Sequence, residues 1–176
     1  MIRAALSLLT LTLALTLATP AAAQLSVSRS PGGTAPVIGT VVRGSAATTF
    51  SISTAGVVTR TSGNAIRLST ASITPPTISI NCGLSLINCP GRDVRVVITA
   101  SGASDDGSIT RFRIGTLSGG SYRTAAPPEG ASLTFDLRPI GSGRSVTFPL
   151  GMDVLLAAGA DSGTDTFTYT VTATFL

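Results

Sequence analysis

The sequence predicts an all-β protein, an antiparallel two-sheet sandwich, and three observations predict it. Past the first two dozen residues, apolar side chains alternate with Thr, Ser or Arg in short runs. Clusters of Gly, Pro, Asp and Ser punctuate those runs at near-regular spacing. The i, i+3, i+4 spacing of an amphipathic helix is missing. Alternation with period two is what a strand shows when one face is packed and the other is wet, and short strands between turn clusters indicate a sandwich or barrel.

Taken in order, residues 1–23 come first. Arg3 opens the chain with positive charge, Leu6 to Ala18 is an apolar run, and Pro20-Ala21-Ala22-Ala23 offers small residues for cleavage. This is the pattern of a secretory signal peptide. The apolar run is shorter than the roughly 20 residues that cross a bilayer as a helix. Cleavage after Ala23 gives an exported chain of one domain, expected in the periplasm, on the cell surface or in the medium. Residues 24–35 read as a flexible N-terminal segment, in which only Leu25 and Val27 alternate before Arg29 interrupts. The sandwich domain is expected over 36–176.

Within that domain Phe50 and Ile52 alternate with Thr49, Ser51 and Ser53, and Ile78 and Ile80 flank Ser79. Val94, Val96 and Ile98 share a face opposite Arg95, Val97 and Thr99. Phe112 and Ile114 oppose Arg111 and Arg113, while Leu133, Phe135 and Leu137 oppose Thr134 and Asp136. Val146, Phe148 and Leu150 repeat the pattern, followed after Gly151 by Met152, Val154 and Leu156. Asp106-Gly107 is expected to close a hairpin, since both residues tolerate positive φ.

Composition excludes much chemistry. All 12 basic residues are arginine, and the chain has no histidine, lysine or tryptophan. Without histidine no Ser-His-Asp or Cys-His arrangement exists, and without lysine there is no Schiff base or Ser-Lys pair. Glu129 is the single glutamate and follows Pro127-Pro128 in a turn; Asp105-Asp106 also reads as turn chemistry. No catalytic residue, cofactor or resident metal is expected, and the protein is read as a non-enzyme. The formal charge of +4 is too small and scattered for a nucleic-acid footprint. Cys82 and Cys89, in "NCGLSLINCP", are expected to form a disulfide, the default for an even cysteine count in an oxidising compartment. Closing that loop contributes about 2.5 kcal/mol by loop entropy.

Two further clusters could bind a ligand. Asp161 and Asp165 in "DSGTD" offer carboxylates to calcium, though calcium takes six or more oxygens. Arg95, Arg111 and Arg113 could line one exposed face toward an anionic glycan, or could simply discourage edge pairing.

The most regular strand is the last stretch, "DTFTYTVTATFL". Phe167, Tyr169, Val171, Ala173 and Phe175 alternate with threonines, which fixes the side that turns inward. As a bare edge such a strand is an aggregation template. It is therefore expected to lie inside a sheet or to be covered by a partner strand.

These residues carry a resemblance. The tail, with Phe175 in the penultimate place, is similar to that of bacterial pilin-like sandwiches. More of the chain, about 36 to 176, resembles the exported bacterial family catalogued as domain of unknown function 4402, which is pilin-like and spore-coat-U-like. The matching residues are Ile38-Gly39-Thr40-Val41 with Gly44, then Thr49 to Ile52, then Gly56 to Thr59. Gly151 to Leu155 and Gly163 to Phe175 complete the set. The resemblance implies an Ig-like, pilin-like β-sandwich that is exported and has no settled activity. In pilin-like proteins it also implies partners, a periplasmic chaperone and neighbouring subunits, which pair through terminal strands by β-strand addition.

The expected function is thus a structural or adhesive surface protein, of fimbrial type, for which strand exchange is one route of assembly. The alternatives are a self-complete monomeric sandwich that binds glycan or calcium, and a small outer-membrane barrel. Barrel strands need about 9–11 residues and aromatic girdles, which six phenylalanines and two tyrosines supply poorly.

Overall fold

The computed structural model describes residues 25–31, 36–102, 107–159, 162–164 and 167–176. In chain order the strands are β1 (Leu25–Ser30), β2 (Thr40–Val42), β3 (Thr48–Ile52), β4 (Val58–Ser62), β5 (Ile66–Arg67) and β6 (Thr77–Cys82). A one-turn helix α1 (Asn88–Gly91) precedes β7 (Val94–Ala100), β8 (Gly107–Ile114), β9 (Ser132–Leu137), β10 (Ser145–Leu156), β11 (Gly163–Thr164) and β12 (Tyr169–Phe175). All pairings among the described residues are antiparallel, and the sheets do not close into a barrel. The fold is the expected β-sandwich.

The first sheet is built on β10. Its inward residues Val146, Phe148, Leu150, Met152, Val154 and Leu156 form one unbroken alternating series, each at most 1 % exposed. The two apolar runs seen on either side of Gly151 are therefore a single strand. One edge of β10 takes β6 along Ser145–Pro149 and β3 along Met152–Leu156. The other edge takes β8, and Ser118 continues that edge by bridging Thr147. β4 extends the sheet beyond β3, and β1 extends it beyond β6.

The second layer is β12-β7-β9. Its inward residues Val94, Val96, Ile98, Leu133, Phe135, Leu137 and Tyr169 are buried. Edge-to-face ring pairs join the layers: Phe135 meets Phe148 at 5.8 Å, and Phe112 meets Tyr169 at 5.9 Å. Each such pair adds about 0.5–1.5 kcal/mol beyond the area it buries. A small third sheet, β11-β2-β5, brings in the buried Val41.

Between β8 and β9 the chain changes layers. Ser118 bonds to Thr147 of the first sheet, then Tyr122 bridges Leu137 of the second, and Gly130 returns to Phe112. This passage covers the β9 edge: Arg123 N–H donates to the Asp136 carbonyl, and Arg138 N–H to that of Ser121.

Two expectations change. Leu25–Ser30, placed in a flexible segment 24–35, forms β1 and pairs with β6 from Leu25↔Cys82 to Ser30↔Thr77. Leu25 and Val27 pack against the core, and two inward residues suffice because the neighbouring edge is already in place. Against the expectation of a hairpin closed by Asp106-Gly107, β7 and β8 are not paired with each other, because β7 belongs to one sheet and β8 to the other. Asp105 and Asp106 lie outside the described residues. Gly107 is needed for close approach: a Cβ there would stand 2.4 Å from the Leu155 carbonyl oxygen of β10.

Candidate functional site: the outer edge of the last strand

Along β12 the alternation read from sequence holds. Phe167 and Tyr169 are buried, Val171, Ala173 and Phe175 are half-buried against the core, and the alternating threonines from Thr168 to Thr174 are exposed. Burial declines toward Phe175 because β12 is the outermost strand of its sheet.

Register shows what that outermost position leaves open. β12 pairs with β7 from Tyr169↔Ala100 to Phe175↔Val94. Ser101 N–H donates to the Thr168 carbonyl, and Leu176 N–H donates to that of Asp93. In an antiparallel ladder the bonded residues alternate, so the threonines face β7 with their backbone groups. The inward-facing residues Tyr169, Val171, Ala173 and Phe175 turn their own N–H and C=O groups away from β7. At Tyr169 the carbonyl accepts from Arg29 Nη1 at 3.1 Å, with the guanidinium 4.9 Å above the ring. β1 thus touches β12 here, yet no ladder joins them among the described residues. From Val171 to Phe175 no described strand pairs with the outer edge. Arg92 stands at the far end, 5.7 Å above the Phe175 ring, and its Nε donates to the Leu176 carbonyl at 2.7 Å.

The buried Tyr169 hydroxyl meets no hydrogen-bond partner of good geometry among the described residues. Burial raises its pKa above the ordinary phenol value, with Arg29 pulling the other way.

The arginines expected on one face are divided. Arg95 is on β7 of the second sheet, where it forms a two-bonded fork with Asp136 at 2.9 and 3.0 Å. That bond, more than the partial desolvation opposing it, holds the Asp136 carboxyl below its usual range. Arg111 and Arg113 are on β8 of the first sheet. Arg113 Nη2 donates to Asp153 at 2.6 Å and Nε to Glu129 at 3.2 Å, while Nη1 reaches Ser51 Oγ and the Ile52 carbonyl, each at 3.0 Å. Arg111 lies 3.6 Å from Asp153 and 3.7 Å from Glu129. Burial works against the Arg113 charge, but the hydrogen bonds outweigh it and its pKa is raised. A shared arginine face for an anionic glycan is therefore not formed: the three guanidiniums serve two sheets and each has a carboxylate. Nothing in the sequence marks these partners: Asp136 and Asp153 lie about 40 residues from their arginines, and Glu129 lies 16 from Arg113.

Cys82 and Cys89 are joined, with Cα atoms 5.9 Å apart. Their loop carries Leu84, Leu86 and Ile87 outward, each at least 80 % exposed. These three were not singled out from sequence, although a loop closed over so few residues has little length with which to fold large side chains back under it. Asp161 and Asp165 lie outside the described residues, and among those described no three of His, Cys, Asp and Glu cluster as metal ligands. No described helix is long and apolar enough to cross a membrane, which together with the disulfide is compatible with export. No family model, curated protein or solved structure matches the chain.

Proposed function

We propose that the chain is an exported, non-enzymatic structural or adhesive surface protein, pilin-like in construction, that takes a partner strand along the outer edge of β12. The observation that carries this reading is the row of backbone groups at Val171, Ala173 and Phe175 that no described strand pairs, beside a threonine face. An added strand would gain main-chain hydrogen bonds there without disturbing β7. A neighbouring subunit or a periplasmic chaperone is the partner class this geometry suits.

A second reading has its own support. β1 completes its own first sheet, residue for residue against β6. A segment used in this way is not available to a neighbour unless it leaves β6, which favours a self-complete monomeric binding module.

Hydrogen exchange on the mature chain, fractionated by size exclusion, separates the two. Strand addition predicts oligomers in which the Val171, Ala173 and Phe175 amides are protected, and monomers in which they exchange quickly. A chain that stays monomeric at every concentration and in periplasmic extracts would overturn strand addition and leave the self-complete module.

A further inference from the structure

The disulfide loop does something the β12 edge does not require. Leu84 and Leu86 are 89 % exposed and Ile87 is 80 % exposed, although the two cysteines that bracket them are buried. The loop cannot fold back to hide them, because it is braced on the turn before β10. Ser85 N–H donates to Ser142 Oγ at 3.1 Å, Gly141 N–H to the Cys89 carbonyl at 2.9 Å, and Cys82 N–H to the Arg144 carbonyl at 2.9 Å. Inside the loop, Ser85 Oγ accepts from the Asn88 N–H at 3.1 Å. Exposure of these aliphatic side chains is thus built in.

The surroundings are cationic. No carboxylate side chain occurs between Cys82 and Arg92. Arg144 lies in the bracing turn, exposed and without a carboxylate partner among the described residues; Arg92 follows α1 and is also exposed, its Nε held by the Leu176 main-chain oxygen at 2.7 Å and its guanidinium 5.7 Å above the Phe175 ring. Asp93, beside them, is engaged by Arg123 at 3.1 Å.

We infer that this end of the sandwich docks on an anionic lipid bilayer, with Leu84, Leu86 and Ile87 entering the acyl boundary and Arg92 and Arg144 meeting the headgroups. Exposed aliphatic side chains on a loop that carries no carboxylate and is flanked by exposed arginines suit an interface between headgroups and hydrocarbon. Three side chains on a tip fall well short of the roughly 800 Å² per partner of a specific protein contact, and such contacts are anchored by Trp, Tyr and Arg more than by Leu.

The test is co-sedimentation of the oxidised mature protein with phosphatidylglycerol–phosphatidylcholine vesicles and with pure phosphatidylcholine vesicles. Binding is expected to the anionic vesicles and to weaken with salt. L84S/L86S/I87S should lower the partition coefficient more than about tenfold, with an unchanged unfolding midpoint. R92S and R144S should each lower it about fivefold on anionic vesicles and leave the neutral ones alone. Absence of wild-type binding would overturn the inference, as would a triple serine variant that binds like wild type. A triple variant that loses only self-association, from a wild type without vesicle affinity, would assign the tip to a protein contact instead.

Discussion

Arg113 reaches Asp153 across Gly151, with 2.6 Å between Nη2 and Oδ1, and passes on to Ser51 and the Ile52 carbonyl. One side chain from β8 therefore ties β10 and β3 together on the outer face of the first sheet. Both ends of the ion pair are well covered, at 16 % and 13 % side-chain exposure. Removing Arg113 leaves the largely desolvated Asp153 carboxylate with only the longer contact to Arg111, at 3.6 Å. Arg113→Ala should cost about 2–3 kcal/mol in urea unfolding. Arg113→Lys should recover only part of it, since an ammonium lacks the fork that serves three strands at once.

Gly151 is what lets that side chain cross. A Cβ at this position would stand 2.7 Å from the Ile52 carbonyl oxygen and 2.8 Å from Arg113 Cγ. Gly151→Ala should destabilise by about 1–3 kcal/mol. In a double-mutant cycle with Arg113→Ala the two losses should sum to more than the double variant shows. Strict additivity would mean that the arginine does not depend on the glycine.

Asp136 makes the second sheet acid-sensitive. Its pKa is lowered chiefly by the hydrogen bond from Arg95. A depressed carboxyl contributes stability that is present above its unfolded value, near about 3.9, and is lost as pH falls through the folded value. Acidification below about pH 4 should therefore lower the thermal midpoint. Asp136→Asn should flatten that part of the profile and leave the neutral-to-alkaline part unchanged.

Tyr169 acts at the other end of the scale. Burial raises its pKa, so folding favours the neutral phenol. This contribution is whole below the unfolded value, near about 10, and is lost as pH rises through the folded value. Tyr169→Phe should remove the alkaline loss. Because no described residue meets the buried hydroxyl with hydrogen-bond geometry, the same variant should be neutral or stabilising at pH 7, within about 1 kcal/mol. A large loss of stability at neutral pH would show that the hydroxyl is bonded in solution.

Proline distinguishes the two sides of β12. At Ala173 the backbone N–H points away from β7, so Ala173→Pro should leave the ladder intact and cost little. It should still block strand addition, seen as loss of any oligomer on size exclusion. At Thr172 the N–H faces β7, and Thr172→Pro should cost about 3 kcal/mol or more. Equal destabilisation by the two prolines would contradict the bonding parity described for this strand.

The strands, their inward faces and the cysteine pair were legible in the sequence, because side-chain period and short-range covalent closure are local properties. Val94, Val96 and Ile98, or Phe167 to Phe175, declare which side turns in whatever lies next to them. Neighbours are not local. That β1 joins β6, that β7 and β8 belong to different layers, and that Arg113 and Arg95 find Asp153 and Asp136 were settled by strand order. Strand order also left the outer backbone of β12 from Val171 to Phe175 unpaired among the described residues, while the bracing of the disulfide loop holds Leu84, Leu86 and Ile87 outside the core. Alternation specifies which face is buried; only the packing of two twisted sheets decides which edges remain open and which charges meet.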